Sequence, residues 1–180
     1  MPILDILYYP DAGLQSVCTP VENIDGEIVD LANSMRDTMY NASGVGLAAP
    51  QVGVSINLLI IDLGARKENG SAITLINPQI TAVNDSEVLG EEGCLSMPGI
   101  YANVIRQEAV EVKGIDINEK EVTLKLEGLL SRAIQHEMDH FKGILFWDHL
   151  GKVKRNLLRK KFKRLQREKR TEQKESKSLC

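Results

Sequence analysis

Hydrophobic positions in the first third of the chain repeat with the period of a helix. Ile28, Leu31, Met35 and Met39 share one helical face, and Asp25 stands where a side chain can cap the first turn. We therefore predict a helix that begins after Asp25 and ends near residues 41–44, before a turn rich in glycine and alanine.

The middle of the chain carries short runs of β-forming residues separated by polar turns. The apolar run Asn57–Leu63 predicts a buried strand, and Gly64–Ser71 predicts a polar loop. Shorter strands are expected at Ile73–Asn77, Gln79–Val83 and Ser86–Leu89. Apolar and charged residues then alternate over Val104–Ile117 and Val122–Leu126, and the polar triplet 118–120 between them predicts an antiparallel hairpin.

The period changes again after Gly128. An amphipathic helix that ends at Gly143 is predicted by the spacing of Leu129, Ile134, Met138 and Phe141. Beyond Gly151, a basic stretch has apolar residues at near-helical spacing, namely Val153, Leu157, Phe162 and Leu165. Its end, Thr171–Cys180, is polar enough to fray. Several antiparallel strands with separate helices predict the α+β class.

The net charge conceals two regions of opposite sign. The 180 residues have a formal charge of -3, with 43% hydrophobic and 26% charged residues, an ordinary composition for one globular domain. Residues 1–150 carry 9 basic and 22 acidic side chains, whereas residues 151–180 carry 13 basic and 3 acidic ones. This excludes a uniformly basic nucleic-acid binder and predicts an acidic body followed by a basic helix and frayed tail, within one domain or as an appendage.

The basic helix has two compatible roles. Its apolar stripe can pack on the body, while its outward lysines and arginines can contact RNA or another polyanion. A helix lying on a membrane surface is a weaker alternative, because the stripe is thin and lacks tryptophan.

The cysteines and the N-terminal segment point to a reducing compartment. Cys18, Cys94 and Cys180 are too few and too irregularly spaced for a disulfide framework. Met1–Asp5 lacks the basic and apolar regions of a signal peptide, and no run approaches the ~18 apolar residues of a membrane span. We therefore expect a cytoplasmic protein.

His136 and His140 are one helical turn apart in the segment HEMDH. Side chains at this spacing project from one helix face, so both imidazoles can reach a single metal ion. Glu137 lies beside them and can take a proton from a water molecule. The chain has only three histidines, so two at the chelating spacing favour a metal site over a pair of surface histidines.

A catalytic metal ion needs a third protein ligand and one open position. His149 is nine residues downstream of His140, beyond the helix-stopping Gly143. Cys94 lies upstream, after Gly93 at the end of a predicted strand, where a thiolate can be presented. A single cysteine is more often buried and inert. Next to an incomplete pair of histidine ligands, the interpretation of Cys94 as a ligand is favoured.

Residues 44–51, GVGLAAPQ, are mostly small and end in an amide side chain. Small residues let a backbone approach a ligand closely, so an extended peptide can lie along this segment. Gln51 can direct an amide N–H at a developing oxyanion. A helix end followed by a tight turn explains most of the glycines as well, and no Lys-Ser or Lys-Thr follows as in a phosphate loop.

In combination, the three segments resemble bacterial peptide deformylase. GVGLAAPQ at 44–51, EGCLS at 92–96 and HEMDH at 136–140 match the three motifs of that family in order, and the resemblance covers about residues 3–165. It implies antiparallel sheets around a central metal-binding helix, a catalytic domain over 1–150 and a separate C-terminal helix. It also implies a hydrolase that removes the formyl group from the N-terminal formylmethionine of new polypeptides and releases formate.

The resemblance also implies roles for individual residues. The metal ion, natively Fe²⁺ with Zn²⁺, Ni²⁺ or Co²⁺ as substitutes, would be bound by Cys94, His136 and His140. Glu137 would move the proton, and the Gln51 side chain and the Leu95 N–H would stabilise the oxyanion. Val45, Gly46 and Gly93 would pair with the substrate backbone, and helix residues near Ile134 would line a methionine pocket. The expected partners are formyl-Met polypeptides and the ribosome, which the basic helix would contact; no membrane contact is expected, and the chain should be a monomer.

Two positions depart from the family pattern, and two other functions stay open. Ser43 stands where many relatives carry an acidic residue and Tyr101 where many carry arginine, which changes the expected charge at the rim of the site. An HExxH protease would need a downstream third ligand, for which only His149 is available. An adaptor with a structural metal would need four protein ligands, and Cys18 and Cys180 are remote in sequence.

Overall fold

The computed structural model describes residues 1–62, 64 and 72–178, and it confirms the α+β class. The helices in these residues are α1 (Gly26–Asn41), α2 (Gly128–His140) and α3 (Lys152–Ser178). The strands are β1 (Gly46–Ala48), β2 (Leu58–Asp62), β3 (Ala72–Val83), β4 (Glu87–Gly93), β5 (Tyr101–Gln107), β6 (Ala109–Ile115) and β7 (Glu121–Glu127). The loop predicted at 64–71 lies outside the described residues except for Gly64.

The described strands form two antiparallel sheets with α2 between them. One sheet has the order β1-β2-β3-β6-β7, and the other is the hairpin β4-β5. Helix α2 contacts β1, β2, β6 and β7 of the first sheet and β5 of the second. The helix that carries the HEMDH segment is therefore central, as expected.

Strand β2 is buried along its whole length. Leu59 packs in a cluster with Ile134 of α2, whereas its neighbour Ile60 packs in a second cluster with Met35 of α1. Successive strand residues point to opposite faces, so a strand covered by helices on both faces is apolar at successive positions, here from Leu58 to Ile61. This burial explains the uninterrupted apolar run in the sequence.

The prediction of two short strands within residues 73–83 is wrong, because this segment belongs to the single strand β3. The register with β6 shifts around Asn77, which has a φ of +50°, and Pro78, which has no N–H to contribute. The Asn77 side chain accepts a hydrogen bond from Val21 N (2.9 Å) and donates one to Val21 O (2.8 Å). The turn-forming residues therefore mark an irregularity inside a strand.

The alternating stretch predicted over Val104–Ile117 is divided between the two sheets. Gln107 ends β5 in the hairpin with β4, and Ala109 begins β6 in the five-stranded sheet. The hairpin predicted around residues 118–120 is confirmed by the pairing of β6 with β7. Asp116 stabilises its turn by accepting a hydrogen bond from Lys120 N (2.9 Å).

Helix α1 has the predicted boundaries, whereas α2 ends at His140, three residues before the predicted end at Gly143. Asp25 caps α1, since its side chain accepts a hydrogen bond from Ile28 N at 3.1 Å. Gly143 terminates the turn after α2 with a φ of +67°, and a Cβ there would lie 2.5 Å from the carbonyl oxygen of Gln15. Leu129 was expected on the buried face of α2 but is 58% exposed, because the first turn of α2 opens onto a cavity.

Helix α3 packs on the body through part of the predicted stripe. Phe162 is buried, with its ring centroid 6.2 Å from that of Trp147, and Leu165 is partly buried in the same cluster. Val153 and Leu157 are exposed, contrary to the prediction, and Leu158 packs inward instead. The helical backbone extends to Ser178, although fraying was predicted from residue 171.

Candidate metal centre and substrate cavity

Cys94, His136 and His140 come together although they lie on two separate elements. Helix α2 presents both imidazoles from one face, with ring centroids 5.2 Å apart. Strand β4 was predicted over 86–89 but extends to Gly93, so Cys94 directly follows it. The Cys94 Sγ lies 3.4 Å from His140 Nε2, and one ligand atom from each of the three residues lies within 4.8 Å of the others.

A buried carboxylate orients His136. The Glu92 Oε2 lies 3.0 Å from His136 Nδ1. Because a carboxylate only accepts, Nδ1 carries a proton, and Nε2 is therefore the nitrogen of this ring that a metal ion would use. Glu92 also accepts from Arg106 Nε and Arg132 Nη1, both at 2.9 Å. Burial opposes its charge, but hydrogen bonds from His136 and Arg106 lower the pKa of Glu92 to about 2.

The two histidines differ in their electrostatic surroundings. Burial disfavours a charge on His136, but hydrogen bonds to Cys94 and Glu92 raise its pKa well above the ordinary value. Burial and the positive charges of His136 and Arg106 lower the pKa of His140 well below the ordinary value. The surroundings of Cys94 and Glu92 therefore favour a positive charge on the neighbouring group. His140, in contrast, is kept as the neutral imidazole, which is the form that binds metals.

Glu137 is almost completely buried next to β1. A Cβ at Gly46 would lie 2.5 Å from its Oε1 and 2.8 Å from its Cγ, so only glycine leaves room for this carboxyl. Among the described residues, Glu137 Oε2 has no hydrogen-bond partner. Burial raises the pKa of Glu137 to about 7. A carboxyl with such a pKa can take up and release a proton near neutral pH.

Gln51 is held in one orientation, with its amide N–H groups directed at the site. Its Oε1 accepts a hydrogen bond from Ala48 N at 2.8 Å, so Nε2 must point the other way. Nε2 lies 3.5 Å from Cys94 Sγ and 3.2 Å from Ser96 Oγ. Ser96 was not singled out in the sequence, but it is fully buried and completes this orientation.

The donor set fits a catalytic metal ion. One thiol and two imidazoles suit iron, zinc, nickel or cobalt, and three ligands leave a coordination position open. The buried Nδ1 of His140 has no hydrogen-bond partner among the described residues, so no hydrogen bond at Nδ1 fixes the orientation of that ring. His149 is not brought to the ligand group, because its Nε2 lies 2.6 Å from Asp139 Oδ2 instead. Cys18 packs in the core.

A cavity of about 590 Å³ opens beside the three donors. Of the residues expected to act on substrate or metal, those that line it are Val45, Gly46, Gln51, Gly93, Cys94, Leu95, His136 and Glu137. Ile134 does not line it, because this side chain is fully buried in the core with β2. Leu129 and Ala133 are the apolar residues of α2 that do.

The rim of the cavity contains both positions that depart from the family pattern. Ser43, which has a φ of +54°, and Tyr101 both line the opening. A Cβ at Gly93 would lie 2.7 Å from Tyr101 Cε1, so the ring lies against the Gly93 backbone. Tyr101 is 59% exposed and supplies an uncharged aromatic wall.

Glu92 lies in the EGCLS motif but was given no role from the sequence, and Arg106 and Arg132 are site residues outside the three motifs. A signal was present for Arg106, since the alternation of β5 puts it on the buried face with Ala102 and Val104. A charged residue on the buried face of a strand needs a partner there.

Comparison with known proteins decides the family. Residues 3–156 match the family model described as polypeptide deformylase. The chain belongs to the polypeptide deformylase family. A peptide deformylase of Thermodesulfovibrio yellowstonii is 50% identical over 163 residues, which are 91% of this chain and 98% of that relative. One of Mesorhizobium japonicum is 43% identical over 169 residues, 94% of this chain and 96% of that relative.

Solved deformylases share the fold. The crystal structure of a peptide deformylase from Legionella pneumophila has a TM-score of 0.87 at 45% identity and covers 93% of this chain and 97% of its own. That of Ehrlichia chaffeensis peptide deformylase in complex with actinonin has a TM-score of 0.87 at 36% identity, with coverages of 93% and 99%.

Membership confirms the expected activity. The chain is a metal-dependent hydrolase of the deformylase family, which removes the N-formyl group from newly made polypeptides. In the part of the chain that the structure describes, every helix is too short or too polar to span a membrane.

Proposed function

We propose that this chain hydrolyses the formyl amide of N-terminal formylmethionine with a metal ion held by Cys94, His136 and His140. The observation that carries the proposal is the convergence of these three donors, beside the cavity that Glu137 lines. The reaction consumes one water molecule. The bond between the formyl carbon and the methionine nitrogen breaks, and formate and a free amine are released.

Each polar group of the cavity has a task in this reaction. A metal ion at the site would lower the pKa of water so that hydroxide forms near neutral pH. Glu137 accepts the proton of the attacking water and later donates it to the leaving nitrogen. Gln51 Nε2 and the Leu95 N–H donate to the developing oxyanion. The fixed orientation of the Gln51 amide supports this role, because a donor already in place needs no reorganisation.

The peptide is proposed to bind as an extended chain between two sheets. Strand β1, with Gly46, is an edge of the five-stranded sheet, and Gly93 ends β4 in the two-stranded sheet. Free edges can pair with an added strand, so the backbones of Gly46 and Gly93 are proposed to bond the substrate backbone. Val45 would contribute its N–H, because its carbonyl oxygen already accepts from Asp62 N at 2.9 Å. The methionine side chain then lies against the apolar surface of Leu129 and Ala133.

We propose Fe²⁺ as the native ion, with Zn²⁺, Ni²⁺ or Co²⁺ able to occupy the same donors. We also propose that the protein is a cytoplasmic monomer with a catalytic domain over 1–150, and that its basic region 151–180 contacts the ribosome. The charge of that region supports the last point, because 13 of its 30 residues are Lys or Arg.

The decisive experiment measures formate release from formyl-Met-Ala-Ser together with the metal content of the same anaerobic sample. Cys94→Ala should lose both metal and activity. Cys18→Ala, which changes a buried thiol in the core, is the matched control and should retain both. Retention of metal and activity by Cys94→Ala would contradict the ligand assignment, and cleavage of an internal peptide bond would favour the protease alternative.

The role of Glu137 needs a second pair of variants. Glu137→Ala should keep the metal, because Glu137 is not a ligand, and should reduce kcat by about 10²–10⁴-fold. Glu91→Gln changes another carboxyl of the cavity and should leave kcat within about twofold. Loss of metal from Glu137→Ala would count against a role restricted to proton transfer.

A further inference from the structure

We infer that His149 is a positioning residue that acts on the ligand His136 through a chain of hydrogen bonds leading from the surface into the interior. The inference rests on the metal site proposed above. In the sequence, His149 stood out only as an alternative metal ligand, a role that its position does not allow. The structure places it at the outer end of a polar network whose inner end is His136.

The chain of contacts is continuous from one histidine to the other. His149 Nε2 lies 2.6 Å from Asp139 Oδ2, which also accepts a hydrogen bond from Arg106 Nη1 at 2.6 Å. Arg106 donates through Nε and Nη2 to the two oxygens of Glu92, at 2.9 and 3.1 Å. Glu92 Oε2 then accepts from His136 Nδ1 at 3.0 Å. Arg106 is therefore shared between two carboxylates, one at each end of its guanidinium group.

Only the outer end of this network reaches solvent. The side chains of Arg106 and Glu92 are 6% and 3% exposed, that of Asp139 is 15% exposed, and that of His149 is 35% exposed. Buried charged groups in such a network have few alternative partners, so a displaced group moves its neighbours. His149 is the outermost member of this network, and it lies on the solvent side of Asp139.

The hydrogen-bonding roles follow from the chemistry of each group. Arg106 can only donate and an ionised Asp139 can only accept, so His149 Nε2 must carry a proton to bond with Asp139. The 3.3 Å separation of His149 Nε2 from Arg106 Nη1 is then an approach of two donors to one oxygen. His149 thus fixes the carboxylate that holds the far side of Arg106.

The consequence is an orientation of His136 that depends on His149. Partners of metal-bound histidines commonly alter metal affinity by about 10–100-fold when they are changed. His149 acts through three intervening side chains, and Glu92 is also held by Arg132. We therefore expect a smaller effect, about a three- to tenfold weaker affinity for Co²⁺ when the His149 donor is lost.

A matched pair of amide substitutions tests the donor. In His149→Gln, the side-chain N–H₂ group can occupy the place of Nε2, whereas the shorter side chain in His149→Asn cannot reach Asp139. Co²⁺ affinity would be measured by chelator competition, and the visible absorption of the Co²⁺-loaded protein would report on ligand geometry. His149→Asn should show the loss of affinity and an altered spectrum, and His149→Gln should restore both. Equal affinities and spectra for both variants and the parent would overturn the inference.

A double-mutant cycle separates this inference from the proposed metal site. Asp139→Asn alone should weaken Co²⁺ binding, and adding His149→Asn should weaken it no further, because both act along one path. Additive losses would overturn the inference. If His149→Asn does not fold, His149→Phe provides the variant without a donor. Failure of the metal site itself would instead appear as unchanged Co²⁺ binding in Cys94→Ala.

Discussion

At the scale of single residues, Gly46 is where the backbone of β1 comes closest to the proposed general base. A Cβ on Gly46 would lie 2.5 Å from Glu137 Oε1, well inside van der Waals contact. Gly46→Ala should therefore displace the carboxyl and lower kcat/KM for formyl-Met-Ala-Ser by about 10²-fold, because misplacement by about 1 Å has that effect. Metal content should not change, since no ligand is touched.

The control for this prediction is Gly26→Ala, in the first turn of α1, where a Cβ would meet nothing within 4 Å. This variant should retain the parental kcat/KM. Parental activity in Gly46→Ala would mean that Glu137 can move aside and still transfer the proton, which would contradict a requirement for its tight placement against β1.

The two cysteines of the described residues should differ in reactivity. Burial raises the pKa of the Cys18 thiol to about 11. At pH 8 only about one molecule in a thousand then carries the reactive thiolate, and the fraction rises only as the pH approaches 11. We expect iodoacetamide to modify Cys94, at the cavity, at least about tenfold faster than Cys18 once a chelator has removed the metal ion.

Peptide mass spectrometry over time would measure both rates in one sample. Addition of Zn²⁺ should protect Cys94 and leave the slow rate of Cys18 unchanged, because only Cys94 is proposed as a ligand. Protection of Cys18 by Zn²⁺, or none of Cys94, would contradict the ligand set.

The candidate site was predictable from sequence where its residues are close in the chain. His136, Glu137 and His140 lie within one helical turn of each other, so helix geometry alone places them together. The roles of Glu92 and Arg106 were not predicted, because the contact of Arg106 with Glu92 and that of Glu92 with His136 depend on how β4 pairs with β5 and how this hairpin packs on α2. Spacing along the chain carries no information about that packing.

At the scale of elements, Arg132 joins α2 to the hairpin β4-β5. Its guanidinium donates to the carbonyl oxygens of Val88 (2.7 Å) and Val104 (2.8 Å) and to Glu92 (2.9 Å). Arg132→Met should lower the free energy of unfolding by about 3 kcal/mol, because it leaves a buried carboxylate and two carbonyl oxygens with fewer partners. Urea denaturation of the two proteins would measure this difference.

The matched control is Arg164→Met in α3. Arg164 pairs with Glu168 at 3.6 Å, but its side chain is 71% exposed. An exposed pair of this kind contributes at most about 0.5 kcal/mol, so the control should unfold almost like the parent. Equal losses in the two variants would contradict a specific role for Arg132.

The elements themselves were predictable to the extent that local pattern determines them. The apolar run of β2 and the cap at Asp25 depend on neighbouring residues only. The continuity of β3 through Pro78 and the division of residues 104–117 between two sheets depend on pairing with distant strands. Alternation is the same in either sheet, so it cannot specify which partner a strand takes.

At the scale of the whole molecule, the basic charge is not spread evenly over α3. Residues 151–165 contain eight Lys or Arg and no acidic residue, whereas residues 166–180 contain five Lys or Arg and three Glu. The first segment also packs on the body through Phe162. The more basic half of the helix is therefore also the half that is anchored on the body.

If the proposed ribosome contact is made by this helix, deletion and charge reversal should have different effects on ribosome affinity. Deletion of residues 166–180 removes the hydrogen bond from Gln166 to Tyr9 O (3.1 Å) but leaves Phe162 in place. Formate release from formyl-Met-Ala-Ser should stay within about twofold of the parent in the deletion and in a variant with Lys160→Glu, Lys161→Glu and Lys163→Glu, because neither alters the cavity. Ribosome affinity should fall at least about tenfold in the charge-reversed variant, and by less in the deletion. Co-sedimentation with ribosomes at two salt concentrations would measure this, and a larger loss in the deletion than in the charge-reversed variant would place the contact in the distal part of the helix instead.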